Sequence, residues 1–205
     1  MPPSPSPESA EQVPGVTGVV LAGGRSVRMG TDKALLPVGG TTLVAWQADR
    51  LARVFDPVVI SAKGVMPPTQ PRRRVILDGV AESAAIYGLR AALRALRRPI
   101  FVLAVDLPLF PAALAAALAR ELVRRNLSCA APTVDGVIQG LSAAYAPAAL
   151  GVIESQIGRG RLSIRRVVTE CGGEVFGEAF WGRYADREAF SNGNRAEDYE
   201  GILDA

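Results

Sequence analysis

Short apolar runs alternate along this chain with stretches of helical periodicity, and that alternation restricts its fold more than any other feature. Four runs of strand length are mainly apolar: Val16–Leu21, Pro57–Ile60, Val75–Leu77 and Ile100–Val105. Such runs are typical of strands that are buried on both faces of a parallel sheet. The chain is therefore predicted to form a three-layer, Rossmann-like α/β fold, with a mostly parallel sheet and helices on both faces.

Apolar residues at helical spacing occupy the segments between these runs. They predict helices over Thr42–Phe55, around Ile86–Leu96, and from Pro111 to about Arg125. The pattern becomes less regular beyond residue 128. There it indicates strands at Cys129–Thr133 and Glu174–Phe176, an apolar segment at Leu141–Tyr145, and helices at Ala148–Ile157 and Leu162–Val168.

The first 14 residues differ in composition from the rest of the chain. They are rich in proline, serine and glutamate and offer almost nothing to bury, so residues 1–14 are predicted to form a disordered tail. The length of 205 residues suits one domain. Residues 15–205 are accordingly expected to form a single domain.

Histidine and cysteine usage narrows the chemistry. The chain has no histidine, which excludes Ser-His-Asp and Cys-His nucleophilic catalysis and the HExxH zinc motif. A metal ion would therefore bind to oxygen ligands. Cys129 and Cys171 lie far apart in the sequence and form no CxxC pair, which argues against a disulfide framework and a structural zinc. We expect a reducing, cytoplasmic location.

The charge balance is mildly basic, with 23 basic and 20 acidic residues and a net charge of +3. This bias suits phosphorylated small molecules but is too diffuse for a nucleic-acid surface. No stretch approaches the ~20 apolar residues of a membrane span, and the N-terminus does not resemble an export signal. We therefore expect neither nucleic acid nor membrane as a partner.

The carboxyl ends of the predicted strands carry the candidate binding residues, because ligands of open α/β sheets bind at that edge. The small residues Ala22, Gly23 and Gly24 would form a turn whose amides can bind an anion such as phosphate. Asp106 follows an all-apolar run, which favours a magnesium ligand over a helix cap or an aspartate that orders the loop before Leu107-Pro108. Asp78 fits equally well as a ligand or as a turn residue before glycine.

Three cations follow the glycine turn, namely Arg25, Arg28 and Lys33. Together they could neutralise a triphosphate and its developing pyrophosphate leaving group. The alternative is an ordinary glycine turn with solvated surface charges. The spacing matches neither GxxxxGK[ST] nor GxGxxG, which argues against a P-loop kinase and a dinucleotide enzyme.

The segment Leu21–Pro37, LAGGRSVRMGTDKALLP, resembles the nucleotide-binding signature of the molybdenum cofactor guanylyltransferases, a MobA-like nucleotidyltransferase family. The resemblance extends more thinly to Asp78, to the strand that ends at Asp106, to GRGRLSIRRVV from Gly158, and to Phe190–Asn194. It implies a Rossmann-like nucleotidyltransferase fold and covers most of the chain beyond the tail.

The resemblance also implies a reaction. The terminal phosphate of molybdopterin would attack the α-phosphorus of GTP, which joins GMP to the cofactor and releases pyrophosphate with Mg²⁺. GTP and molybdopterin or the molybdenum cofactor are then the expected substrates. Accessory proteins of the molybdenum cofactor are candidate partners.

The site residues follow from the residues themselves and from their positions in the resemblance. Arg28, Lys33 and Asp106 are the expected catalytic residues, with Asp106 as the Mg²⁺ ligand. Nucleotide contacts are expected at Leu21, Ala22, Gly23, Gly24, Arg25, Lys33, Ser61, Asp78 and Asp106. On the acceptor side, the resemblance implicates Asn192 and Asn194. These two asparagines could instead build a turn, with Asn194 and Glu197 capping a final helix.

The sequence departs from the family pattern around the base and the acceptor. Family members commonly have Gly-Pro-Leu where this chain has Ala84-Ala85-Ile86, which here looks helical. Other differences lie at Ser61, at Gly140-Leu141 and at Arg195-Ala196. Two alternatives therefore stay open: a nucleotidyltransferase that uses CTP or another phosphorylated acceptor, and a nucleotide-binding regulatory protein without catalysis.

Overall fold

The computed structural model describes residues 11–23, 33–64, 69 and 71–192. Its strands are β1 Thr17–Leu21, β2 Pro37–Val38, β3 Thr41–Thr42, β4 Val58–Ala62, β5 Val75–Leu77, β6 Ile100–Ala104, β7 Cys129–Val134, β8 Val137–Ile138, β9 Ser142–Tyr145 and β10 Glu174–Phe176. Its α-helices are α1 Leu43–Leu51, α2 Ala85–Leu96, α3 Ala112–Arg124, α4 Leu150–Gly158, α5 Ile164–Glu170 and α6 Glu178–Trp181. Short 3-10 turns lie at Lys33–Leu35, Pro147–Ala149 and Arg187–Phe190.

The main sheet has the strand order β10-β7-β9-β6-β1-β4-β5, with β8 paired to β7. β1 lies between β4 and β6 and is parallel to both, and β5 extends the parallel part beyond β4. β9 runs antiparallel between β6 and β7. The predicted mostly parallel sheet is confirmed, and the carboxyl ends of β5, β4, β1 and β6 lie along one edge.

Helices cover both faces of this sheet, as predicted. One hydrophobic cluster joins α1, α3 and α6 to the sheet, and the other joins α2, α4 and α5 to the opposite face. β1 supplies both clusters in alternation, with Val20 in the first and Val19 and Leu21 in the second. The fully buried position of β1 explains why its sequence is mainly apolar and does not alternate with exposed polar residues.

α1 begins after a short hairpin that the sequence analysis did not predict. Gly39 and Gly40 both have positive φ, +57° and +76°, which suits a two-residue hairpin turn between β2 and β3. The Thr42 hydroxyl then caps α1 by accepting a hydrogen bond from the Ala45 amide, at 3.4 Å. The predicted helical extension to Phe55 is wrong. The chain turns after Leu51 and buries Val54 and Phe55 in the core.

Val13 belongs to the folded part of the chain, although the sequence analysis assigned it to the tail. Its side chain is only 4% exposed, and its amide donates a hydrogen bond to the Val54 carbonyl at 2.9 Å. A single apolar residue among polar ones has no periodicity, so the sequence could not reveal this contact.

Among the helices of the described residues, none is long and apolar enough to cross a bilayer.

Candidate active site

The backbone elbow that follows β1 lies at the centre of the sheet edge. The Leu21 carbonyl accepts a hydrogen bond from the Val105 amide at 3.1 Å, and the Ala22 amide donates to the Ser61 carbonyl at 2.8 Å. The elbow is thus held by β6 on one side and by β4 on the other. Because adjacent strands lie about 4.8 Å apart, these bonds bring Asp106, the residue after Val105, beside the elbow.

Gly23 allows a close approach within this elbow. A Cβ atom at this position would lie 3.3 Å from Lys63 Cγ and 3.5 Å from the Lys63 amide nitrogen. The missing side chain therefore lets the elbow pack against the residue that follows β4. Gly24, Arg25 and Arg28 lie outside the described residues. The described residues continue at Lys33, which is partly exposed and begins a 3-10 turn that packs beside α1.

Asp106 lies in the turn after β6 and is partly exposed. In residues 11–23, 33–64 and 71–192, no hydrogen bond or ion pair engages its carboxylate. The alternative role as a helix cap is wrong, because α3 begins only at Ala112 and is preceded by Pro111 at its cap position. Among the described residues, the Asp106 carboxylate thus has no hydrogen-bond donor, and it lies at the edge where ligands of open α/β sheets bind.

These properties fit a magnesium ligand. The described residues contain no cluster of three or more histidine, cysteine or acidic side chains that could hold a metal ion alone. Mg²⁺ is commonly bound by only one or two carboxylates, together with water and substrate phosphates. The single carboxylate of Asp106, in the loop next to the glycine elbow, is compatible with that mode of binding.

The loop after β6, residues 105–111 and here named the β6 loop, is held by two side chains of α1. Gln47 Nε2 donates to the Leu107 carbonyl at 2.8 Å. Arg50 donates through Nη1 to the Pro108 carbonyl and through Nη2 to the Phe110 carbonyl, the latter at 3.0 Å. Burial, with a smaller contribution from the neighbouring Arg53, lowers the pKa of Arg50 to about 10, so it remains a cation at neutral pH.

The loop after β5, residues 78–84 and here named the β5 loop, is held by Lys63. Its Nζ donates to the carbonyls of Val80 and Glu82 at 2.7 Å and 2.5 Å, and more weakly to Ala81 at 3.3 Å. Asp78 Oδ2 lies 3.9 Å from the same Nζ, and Asp78 Oδ1 accepts from the Val80 amide at 3.0 Å. The structure therefore gives Asp78 the turn role that the sequence left open, and its nucleotide contact stays a prediction.

A second contact joins the β5 loop to α2. The Tyr87 hydroxyl donates to Glu82 Oε2 at 2.6 Å, and this hydrogen bond raises the pKa of Tyr87. α2 begins at Ala85, so the expected helical character of the Ala84–Ile86 segment is confirmed. The β5 loop is therefore short and ends directly in the first turn of a helix.

Ser61 is enclosed beneath α2 rather than presented at the edge. Its side chain is buried, and its hydroxyl donates to the Gly88 carbonyl at 3.3 Å. A Cβ at Gly88 would lie 3.0 Å from Ser61 Oγ, so the helix packs closely on this residue. Ser61 thus supports the elbow through its carbonyl, and a nucleotide contact through its side chain stays a prediction.

The acceptor-side candidates lie partly within the described chain. Asn192 is exposed and is the last described residue, whereas Asn194 and Glu197 fall outside. Two residues before Asn192, the Phe190 ring packs edge-on against Phe110 of the β6 loop, with ring centroids 5.6 Å apart. Asn192 therefore follows a segment that is docked on the loop of Asp106.

The β9 side of the site is bordered by Gly140 and Leu141. The Leu141 carbonyl accepts a hydrogen bond from the Ala104 amide at 2.8 Å, which brings this turn next to the end of β6. A Cβ at Gly140 would lie only 2.5 Å from Ile164 Cγ2, so the start of α5 packs directly on the turn. The GRGRLSIRR stretch thus lies on the same side, with Arg161 and Arg165 exposed.

Three residues of this site were missed by the sequence analysis: Gln47, Arg50 and Lys63. Two signals could have found them. Gln47 and Arg50 are polar residues three positions apart on a helix that is otherwise apolar on that side. Lys63 is a cation directly after an apolar strand, at the edge where Asp78 and Asp106 were already recognised.

A mostly parallel sheet with helices on both faces and loops gathered at the carboxyl ends of its strands is typical of the nucleotide-binding α/β proteins. Residues 18–175 match the family model of the MobA-like NTP transferase domain. The chain therefore belongs to the MobA-like NTP transferase family and is a nucleotidyltransferase.

Two curated relatives support this membership. Proteins of Mycobacterium tuberculosis H37Rv and Mycobacterium avium strain 104 are 38% and 33% identical to this chain, each over 159 residues. The alignments cover 75% of this chain in both cases, and 79% and 80% of the two relatives. Each relative is named "Probable molybdenum cofactor guanylyltransferase".

Solved structures share the fold at lower identity. Molybdopterin-guanine dinucleotide biosynthesis protein A from Archaeoglobus fulgidus superimposes with a TM-score of 0.72 at 21% identity, covering 92% of this chain and 97% of that one. The 2-C-methyl-D-erythritol 4-phosphate cytidylyltransferase of Thermus thermophilus gives 0.64 at 16% identity, with coverage of 91% and 98%. At these identities the likeness describes the architecture alone.

Proposed function

We propose that this chain transfers GMP from GTP to the terminal phosphate of molybdopterin and releases pyrophosphate, with Mg²⁺ bound at Asp106. One observation carries the proposal. The hydrogen bond from the Val105 amide to the Leu21 carbonyl joins the residue before the glycine elbow to the residue before Asp106. The names of the mycobacterial relatives supply the substrates.

The reaction demands little covalent help from the protein. An oxygen of the acceptor phosphate forms a bond to the α-phosphorus of GTP, and the bond from that phosphorus to the bridging oxygen of the β-phosphate breaks. The electron pair leaves with pyrophosphate. Since the attacking phosphate is already an anion, no histidine base is needed, and the rate depends on positioning and charge stabilisation.

The residues of the edge divide this work. The amides of the elbow would bind phosphate oxygens, and Lys33, Arg25 and Arg28 would offset the charge that develops on pyrophosphate. Asp106 would hold Mg²⁺, which when bound supplies positive charge between the phosphates. The β5 loop and the start of α2 would border the base, and the Gly140–Leu141 turn with Asn192 would border the acceptor.

The compartment follows from the cysteines. Cys129 and Cys171 are both free thiols. Free thiols fit a reducing environment, and we propose that the reaction takes place in the cytoplasm.

A pyrophosphate-release assay with molybdopterin and each of the four ribonucleoside triphosphates tests the function. We expect GTP with Mg²⁺ to give the highest kcat/KM, by about 100-fold or more, since a site built to hydrogen-bond one base rejects another strongly. A preference for CTP would overturn the GTP assignment. Tight nucleotide binding without pyrophosphate release, over a panel of phosphorylated acceptors, would overturn the catalytic assignment and favour a regulatory protein.

A further inference from the structure

Both neighbours of Asp106 in the sequence have a backbone group that is held by a hydrogen bond. The residue before it, Val105, donates its amide to the Leu21 carbonyl at 3.1 Å. The residue after it, Leu107, accepts from Gln47 Nε2 through its carbonyl at 2.8 Å. The Leu107 amide also donates to the Ala104 carbonyl at 3.2 Å, which holds the peptide group that joins Asp106 to Leu107. The backbone is thus restrained on both sides of Asp106, and this restraint limits the directions that its Cβ can take.

Arg50 extends this restraint further along the β6 loop. Its guanidinium donates to the carbonyls of Pro108 and Phe110, and Nη1 also lies 3.4 Å from Gln47 Oε1. The Trp46 ring lies beneath the guanidinium, 4.6 Å from its central carbon. Gln47 and Arg50 are here named the α1 clamp. Together they donate hydrogen bonds to three backbone carbonyls of the loop that follows Asp106.

Arg50 is unusual for a largely buried arginine in the groups that accept its hydrogen bonds. In the described part of the chain no carboxylate pairs with Arg50, and its donors go to backbone carbonyls and to Gln47. A largely buried guanidinium without a counter-ion is costly for stability alone. Its planar fork reaches two carbonyls at once, which a lysine ammonium cannot reproduce with the same geometry.

We propose that the α1 clamp sets the direction of the Asp106 carboxylate, which makes Gln47 and Arg50 positioning residues for the divalent cation. This inference rests on the proposed function in one respect, which is that the cation bound at Asp106 is Mg²⁺. The described hydrogen bonds of Gln47 and Arg50 go to the loop backbone and to each other, so neither is proposed as a substrate contact. Both act through the β6 loop, as the outer hydrogen-bonding partners of metal ligands do in other proteins.

The test measures Mn²⁺ binding to the full chain by electron paramagnetic resonance, with Mn²⁺ in place of Mg²⁺ and with a non-hydrolysable GTP analogue present. Arg50→Met and Gln47→Leu should each weaken Mn²⁺ binding by about 10–100-fold, the usual cost of losing an outer partner. Arg50→Lys should show a smaller loss. Affinity for the analogue without metal should change less than about twofold in all three variants.

A matched control and a double variant separate positioning from general damage. Arg53→Met removes an exposed arginine just beyond the same helix and should bind Mn²⁺ like the wild type. In an Asp106→Asn background, Arg50→Met should cause no further loss of Mn²⁺ binding, because the ligand that it positions is already gone. High Mg²⁺ should restore the turnover of Arg50→Met, which a merely misfolded variant would not show.

The inference and the proposed function fail in different ways. Unchanged Mn²⁺ affinity in Arg50→Met, or a further loss in the Asp106→Asn background, would overturn the clamp. If the wild type and its variants behave as expected toward Mn²⁺ but no GMP reaches molybdopterin, the clamp stands and the proposed function is wrong.

Discussion

The β5 loop and the β6 loop follow parallel strands that end at the same edge, and each is held by a cation that donates to backbone carbonyls. The settings of the two cations differ. Lys63 reaches the β5 loop from the next strand, its side chain is 26% exposed, and Asp78 lies nearby as a counter-charge. Arg50 reaches the β6 loop from a helix, is largely buried, and acts together with the fully buried Gln47.

The difference implies that the β6 loop is held more rigidly than the β5 loop at the same edge of the sheet. Water can replace the carbonyls around a partly exposed ammonium at small cost, so the β5 loop can shift when a base enters. Water reaches the α1 clamp poorly, and breaking it leaves buried carbonyls without donors. Under the proposed function, the side of the site that holds the metal would be preorganised, whereas the side that holds the base could adapt.

The largest effect is expected for Asp106→Asn. Turnover in the pyrophosphate-release assay should fall on the order of 10³-fold, since a charged group that stabilises the transition state is lost. The free energy of unfolding should stay within about 0.5 kcal/mol of the wild type, because the carboxylate makes no bond in the described chain. Asp78→Asn is the matched control on the β5 loop, and it should lower stability instead. Retained turnover in Asp106→Asn would remove it from the metal role.

The two cations should differ in their contribution to stability. Arg50→Met should lower the free energy of unfolding by about 2–4 kcal/mol. The substitution leaves the largely buried carbonyls of Pro108 and Phe110 without a hydrogen-bond donor. Lys63→Met should lower it by only about 1 kcal/mol or less, because hydration replaces its bonds. Urea titrations that give equal losses for the two variants would refute the contrast.

Lys63→Met should act on nucleotide binding rather than on the metal. Release of the β5 loop should raise the KM for GTP about fivefold, equivalent to ~1 kcal/mol, with kcat nearly unchanged. Mn²⁺ affinity should match that of the wild type. Lys63→Arg keeps the charge and should recover most of the loss. A fall in kcat with an unchanged KM would mean that the β5 loop is part of the fixed machinery.

The smallest effect concerns alkaline pH. The bond to Glu82 raises the pKa of Tyr87 above its usual value of 10.0, so the folded protein keeps this proton to a higher pH than the unfolded chain. This stabilisation is complete below about pH 10 and is lost as pH rises through the raised pKa. Arg50, whose pKa is lowered, contributes the opposite slope above pH 10.

Comparison of wild type with Tyr87→Phe isolates the tyrosine, because the Arg50 contribution is common to both. The difference in their unfolding free energies should shrink as pH rises from about 9 to about 11. A constant difference over that range would show that Tyr87 does not hold the β5 loop through its proton.

The sequence predicts the parts of this molecule that depend on local pattern. β1, β4, β5 and β6 are mainly apolar runs, and their order predicts a parallel sheet whose edge brings the elbow and Asp106 together. The antiparallel direction of β9 depends on tertiary pairing and has no local signature. The β2–β3 hairpin did have a signal, the Gly39-Gly40 pair, which the sequence analysis did not use.

The supporting contacts of the site were harder to predict, because most of them involve backbone carbonyls. Every residue has a backbone carbonyl, whatever its side chain. The residue types at Leu107, Pro108 and Phe110 therefore do not indicate that their carbonyls accept hydrogen bonds from α1. Cys129 and Cys171 illustrate the same limit. They are distant in the sequence, yet in the fold a hydrogen bond with Cys129 lowers the pKa of Cys171.

The bond between the Leu21 carbonyl and the Val105 amide also has a dynamic consequence. It joins two peptide groups of adjacent strands, so thermal motion of one is shared by the other. When the sheet twists, we therefore expect the backbone at the glycine turn and the backbone at Asp106 to move together. If the turn binds the phosphates and Asp106 the cation, as proposed, the spacing between them would vary less than the spacing to the other loops of this edge.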